Sequence, residues 1–534
     1  MATSVDIPVP LQQRIALPVW LKLSLIVLGL AMPARLFVVA RAETVSRDGP
    51  LFIWYAQDLH RQPIPAMRVR DQHPLYAAMI LGTHAAMQAV GGSSGGWLAD
   101  PVTSWLVAAV TVTMVGGLMV VIGVYCLAHV IFDRRTALLA AVLASLAAEF
   151  CKISADALSD TTHLSLYLFA IAAGIHGLKR SSLMWLATAG ALSGAAFLAR
   201  PEGAEAAIVL AGVCLFASKT TVKLRATRAL TVTMAALLVA SPYMFLTGSL
   251  VRKKPVERLL PISQKSMSST APVFASTDTL GTETRASTSW SKTTLKIIEK
   301  WARALRYTYL LPVVAWLMMR KQRTLSKDVK RVIAGAMGIH LAILFLLVAR
   351  FDYLSLLSLR HALILAALTL PFTAAGLVAI VDRIAPAHPR LPLIQTAFIA
   401  ALVLPTTPWV VERIGQDGAA CRAAGEWIRA QAGDKPRLLT RRARAAYHAH
   451  GIYIPLCRHP TEHDVVDLAQ DRNAEYLVLD RKRDRDLIVL LDDELAAGGP
   501  YTKIAEFSNA PGEAPRALIY RIDRDKLTPT EVKE

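Results

Sequence analysis

Along this chain the apolar residues fall in long, nearly unbroken blocks, not in the alternation of half-buried strands or the one-sided stripe of soluble helices. A helix needs about 20 such residues to cross the hydrocarbon core while satisfying its own backbone. The blocks predict about eleven spans, at residues 16–40, 101–131, 135–151, 160–178, 183–199, 203–218, 228–248, 304–319, 331–350, 360–381 and 391–411. The stretch 74–90 is apolar too, but His84 and Gln88 interrupt it and a Gly/Ser run follows, so it is expected at the interface. After residue 411 the pattern changes. Helix-like stretches alternate with short strand-like runs at 437–440, 475–480, 502–507 and 516–522. The expected fold class is therefore an α-helical polytopic membrane protein over 1–411, with long loops at 41–100 and 249–300, followed by a small α/β domain over 412–534.

Composition agrees. Hydrophobic residues make up 54% and charged residues 19% of 534, above the roughly 45–50% apolar usage of soluble domains. The net charge is +19, yet residues 412–534 hold 20 basic against 21 acidic side chains. The surplus lies in the apolar part, which points to basic loops beside anionic lipid and away from a nucleic-acid partner. Those loops alternate: Arg134 and Arg135, Lys179 and Arg180, Lys219 to Arg228, Arg320 to Arg331, then Arg383 and Arg390 are basic, whereas the intervening short connections hold only Lys152, Arg200, Arg350 and Arg360. The positive-inside rule then puts the N-terminus in the cytoplasm, and the other loops and the C-terminal domain outside an inner (plasma) membrane. The Ser/Thr-rich stretch 263–294 reads either as a lid or as an unstructured connector. Five cysteines are too few for a disulfide framework, and a bridge between Cys421 and Cys457 stays open.

The same parity gathers polar groups on one side: Asp48 and His73 in the first external loop, Asp156 and Asp160 in the second, Arg200 and Glu202 in the third, Arg360 and His361 in the fifth. Carboxylates and cations at a membrane boundary form a functional-site hypothesis. Each also has a plain structural reading. Asp48-Gly49-Pro50 is strong turn chemistry. His73 precedes a proline-started helix, Asp160 suits an N-cap, and Arg200 suits a snorkelling arginine with Glu202 in the first turn of the next helix. Arg360 and His361 open a span, where an interfacial anchor and a phosphate site are equally open.

The order of five stretches resembles a family: Ser-Arg-Asp-Gly-Pro and the residues following it at 46–59, Asp-Gln-His-Pro-Leu-Tyr at 71–76, Ala-Leu-Ser-Asp at 157–160, Ala-Arg-Pro-Glu-Gly at 199–203, and Leu-Arg-His-Ala and the residues following it at 359–371. Their placement relative to the spans is similar to that of the C-type (GT-C) membrane glycosyltransferases, in the bacterial branch of protein O-mannosyltransferases and lipid A aminoarabinose transferases. The resemblance implies transfer of a sugar from a polyprenyl-phosphate donor to an acceptor hydroxyl of a glycan, lipid or protein, with inversion, on the extracytoplasmic face. It implies Asp48 as the catalytic base and Asp160 as the second-loop acid that orients the acceptor or assists the base. Arg200, Arg360 and His361 are implied at the donor phosphate, with His73 and Glu202 beside the substrate. Arg47 and Gly49 flank Asp48 where the O-mannosyltransferases carry an Asp-Glu pair, a departure that weakens the case for a protein acceptor. A divalent ion at Asp48 and Asp160 is the oligosaccharyltransferase pattern; the resemblance is closer to metal-independent members, so no cofactor is expected. His448, His450, Cys457, His459 and His463 match no familiar zinc spacing. Two other classes compete: a transporter or flippase of lipid-linked solutes, with ionisable groups at mid-membrane, and a non-catalytic envelope assembly protein.

Overall fold

The computed structural model describes residues 17–91, 99–216, 220–248, 290–319, 325–351, 357–384, 391–433, 435–456, 462–496 and 499–527. Seven helical runs among them are long and apolar enough to cross a membrane: Val19–Ala40, Pro101–Ile131, Asp160–Arg180, Val222–Thr247, Lys327–Val348, Leu359–Ile384 and the run from Leu393. Each overlaps an expected span. The other four expected spans are shorter helices, Arg134–Leu146, Leu183–Ala199, Ala204–Leu215 and Leu311–Met319. The expected span 183–199 coincides with its helix, which Arg200 ends, whereas apolar composition runs past the ends of the other three; the extended Ala147 breaks the first of them. The 74–90 stretch is a single helix, Pro74–Gly91, lying along Pro101–Ile131 and tied to it by the Tyr76 hydroxyl, which donates to the Ala109 carbonyl at 3.1 Å.

Small residues set the closest packing. Gly190 and Gly194, four apart on Leu183–Ala199, face Val232 and Ala236; a Cβ at these glycines would lie 2.2 and 2.5 Å from the two carbonyl oxygens. This is the small-xxx-small solution to helix association in lipid, where apolar burial supplies no net drive. Arg35, in the first span and fully buried, donates to the carbonyls of Ala31 and Ser145 and to Ser154 Oγ, so its guanidinium ties that span to the chain around residues 145–154.

The C-terminal part is a five-stranded sheet of β1 (Arg437–Thr440), β2 (Ile452–Pro455), β3 (Tyr476–Asp480), β4 (Tyr501–Phe507) and β5 (Ala517–Ile522), in the order β2-β1-β3-β5-β4. The first three strands are parallel and β5 and β4 antiparallel. Four strands lie where expected; β2, with an exposed Ile452, shows too little apolar alternation to stand out. The sheet region docks on the chain around the first loop. The Tyr447 hydroxyl donates to the Val102 carbonyl (2.6 Å), Trp54 stacks on Tyr453 with centroids 5.5 Å apart, and Arg429 pairs with Asp100 (2.7 Å). Cys421 is a free, buried thiol, and Cys457 and His459 lie outside the described residues, as do the side chain of His463 and the loop 249–289.

Candidate active site

Three local devices build the site. Pro201 holds Arg200 extended (φ −157°, ψ 143°) and ends the Leu183–Ala199 helix. A 3-10 turn, Pro201–Gly203, reverses the chain so tightly that a Cβ on Gly203 would sit 2.2 Å from the Ala196 carbonyl carbon. Ser193 Oγ locks it by donating to the Gly203 carbonyl (2.7 Å) and accepting the Ala207 amide (3.0 Å). The second device is another 3-10 turn, Leu359–Ala362, whose entering residue Ser358 donates its amide to His361 Nδ1 (3.2 Å). The third is the start of helix Gly49–Arg61. Asp48 stands at its N-cap but its side chain caps nothing.

These devices converge. Arg200 Nη1 donates to Asp160 Oδ1 at 2.5 Å, and its Nη2 and Nε reach the two oxygens of Glu202 at 3.2 and 3.4 Å. Arg360 Nη1 donates to Asp48 Oδ2 at 2.8 Å. Asp160, Arg200, Glu202, Arg360 and His361 line one open cavity, together with His163, His340 and an apolar wall of Leu164, Ile343, Leu344, Leu347, Leu363 and Ile364. Asp48 joins them through Arg360. His73 does not line this cavity; it is buried, edge-on to Phe197 (4.9 Å) and beside Tyr243 (5.4 Å). The N-cap role open to Asp160 falls to Ser159, leaving the Asp160 carboxylate to Arg200.

Electrostatics follow the pairing. Burial pushes the Asp48 carboxyl up, but the charge and hydrogen bond of Arg360, with Arg47 and Arg200 behind it, outweigh that and hold its pKa below the ordinary value. Burial disfavours the Arg200 cation, and Asp160 and Glu202 more than compensate, raising its pKa. Asp156 accepts the Ser46 amide at 2.6 Å, two residues from Asp48, and so fixes the first loop from the second. Burial raises its pKa to about 6, opposed by its hydrogen bonds to Ser46. Among the described residues no three His, Cys, Asp or Glu side chains converge as a metal-ligand set.

Two buried groups, one lining the cavity and one behind it, are not marked by a reading that finds ionisable groups only at span ends. Glu205 and His340 are both buried inside the bundle; His340 Nδ1 meets Glu205 Oε2 at 3.0 Å and its Nε2 meets the His361 carbonyl at 2.8 Å. The signal was available, since an ionisable residue within an apolar span needs a partner. His163 was legible in the same way, three residues beyond Asp160 on one helix.

No curated protein matches the sequence significantly. Residues 102–245 match the family described as dolichyl-phosphate-mannose-protein mannosyltransferase. Among solved structures, ArnT from Cupriavidus metallidurans in the apo state is similar at TM-score 0.57 and 12% identity, over 96% of this chain and 99% of that one. The same protein bound to undecaprenyl phosphate gives 0.53 and 12%, over 94% and 97%. The Archaeoglobus fulgidus oligosaccharyltransferase, in complex with Zn and sulfate, gives 0.57 and 13%, over 94% and 73%. Residues 102–245 are thus similar in sequence to a mannosyltransferase family, and the chain shares the overall fold of ArnT and of the archaeal oligosaccharyltransferase.

Proposed function

We propose that the protein transfers a sugar from a polyprenyl-phosphate donor to an acceptor hydroxyl on the extracytoplasmic face of the inner membrane, inverting the anomeric centre. The observation that carries this reading is the 2.8 Å contact between Asp48 and Arg360 at a cavity that is polar on one side and apolar on the other. Such a cavity suits a lipid phosphate that carries a sugar, and a relative of the same fold binds undecaprenyl phosphate. Asp48 takes the acceptor hydroxyl proton as the acceptor oxygen bonds to the anomeric carbon. The bond from that carbon to the phosphate oxygen breaks, its electron pair stays on the phosphate, and polyprenyl phosphate leaves. Arg360 and Arg200 stabilise the charge growing on that oxygen, an effect commonly worth about 3 kcal/mol per well-placed donor. Two guanidinium groups supply this charge from the chain itself, so the reading assigns no metal to the step. Donor phosphate also competes for Arg360, and charge drawn away from Asp48 raises its proton affinity when a base is needed.

Glu205 and His340 are the one observation that favours a transporter, since buried ionisable pairs mark solute paths. Here the second nitrogen of His340 is engaged by the His361 carbonyl, so the pair braces the turn that carries Arg360. The reading is tested by comparing envelope glycolipids and glycans by mass spectrometry between a deletion strain and its parent. The expected result is a species lighter by one sugar residue, restored by the wild-type gene and not by Asp48→Asn. Unchanged glycans in the deletion strain would overturn it.

A further inference from the structure

The transfer chemistry leaves one polar side chain of the cavity unused. His163 lines it and is 4% exposed, yet its Nε2 is buried and makes no hydrogen bond among the described residues. The neighbouring basic side chains are engaged: Arg200 by Asp160 and Glu202, Arg360 by Asp48, His340 by Glu205 and the His361 carbonyl. Asp160, 6% exposed, shares the condition of His163. Its Oδ1 is taken by Arg200 while Oδ2 is buried and hydrogen-bonded to nothing among the described residues.

Asp160 and His163 stand three apart on one helix, so both project from the same face with Cβ atoms about 5–6 Å apart. Leaving two buried polar atoms without a hydrogen bond costs about 1–3 kcal/mol each, and such atoms facing a cavity call for a partner that enters it. Their chemistry narrows the ligand. A carboxylate oxygen only accepts, and an imidazole nitrogen accepts or donates according to its tautomer. A phosphate oxygen facing Asp160 Oδ2 meets like charge, and a prenyl chain offers no hydrogen bonds. Adjacent sugar hydroxyls match this pattern, one donating to Asp160 and its neighbour pairing with His163. The apolar wall of Ile343, Leu344, Leu347, Leu363 and Ile364 is left for the lipid.

We propose that Asp160 Oδ2 and His163 Nε2 form the subsite that reads a pair of hydroxyl groups on the transferred sugar, with His163 as a specificity-determining residue. This rests on the glycosyltransferase reading above. The experiment measures binding of purified full-length protein in detergent to bare decaprenyl phosphate and to decaprenyl-phosphate carrying mannose, glucose or galactose. His163→Phe and His163→Ala are expected to weaken the preferred sugar-bearing lipid about 10-fold while leaving bare decaprenyl phosphate within about twofold. His163→Gln, which keeps a hydrogen-bonding group, is expected to recover part of the loss. Equal weakening of both lipids, or of neither, overturns the subsite while the transferase reading stands. If the wild-type protein binds none of these lipids, the transferase reading fails with it.

Discussion

Replacing Arg200 with alanine is the sharpest structural perturbation the site offers. In the folded protein Arg200 faces Asp160 and Glu202, and the side chains are 13%, 7% and 19% exposed respectively. Its three hydrogen bonds, at 2.5, 3.2 and 3.4 Å, form a fork that only guanidinium supplies. Removing one partner of a buried pair typically costs about 3–5 kcal/mol, because the remaining charge has lost its compensation. Arg200→Ala should fall in that range, with Glu202, the more exposed acid, contributing less than Asp160. One further readout separates this cause from lost packing. Adding Asp160→Asn to Arg200→Ala should recover at least about half of the loss, since the buried charge is gone. The assay is reversible unfolding in mixed detergent–SDS micelles, run as a double-mutant cycle. A loss under about 1 kcal/mol, or additive single and double variants, would refute the buried-pair account.

Two other outcomes follow from the loops around the site. Asp156 has its folded pKa raised to about 6, so its contribution to stability is full below the ordinary carboxylate range and is lost as pH rises through about 6; Asp156→Asn should abolish that slope in thermal unfolding, and an unchanged slope would clear Asp156 of the role. Tyr447→Phe removes the bond to the Val102 carbonyl and should cost about 1–3 kcal/mol, with faster proteolysis at the C-terminal sheet region; unaltered proteolysis and stability would show that the docking does not depend on this bond.

How much of this was legible depends on range. Spans such as Pro101–Ile131 announce themselves because lipid demands continuous apolar surface, and β1 and β3 because buried strands read as Leu/Val runs. Composition overextends short apolar helices such as Ala204–Leu215, since it cannot see a break made by a neighbouring turn. At the site, loop parity grouped Asp160, Arg200, Glu202, Arg360 and His361, yet nothing local distinguished an Asp160 that caps a helix from one that grips an arginine 40 residues away. His73 shows the converse: its neighbours Phe197 and Tyr243 lie more than 100 residues on, and only packing reveals that it faces them instead of the cavity. Glu205 and His340, 135 residues apart, were invisible as a pair for the same reason.

The central claim is that Asp48 accepts the proton while guanidinium groups hold the departing phosphate. Asp48 is about one-third exposed, so Asp48→Asn should change stability by less than about 1 kcal/mol, which isolates its chemical role. Purified protein in liposomes, given a polyprenyl-phosphate sugar that it turns over, reports the release of bare polyprenyl phosphate. Asp48→Asn is expected to slow this release at least about 100-fold with unfolding unchanged. Release at the wild-type rate would contradict the central claim.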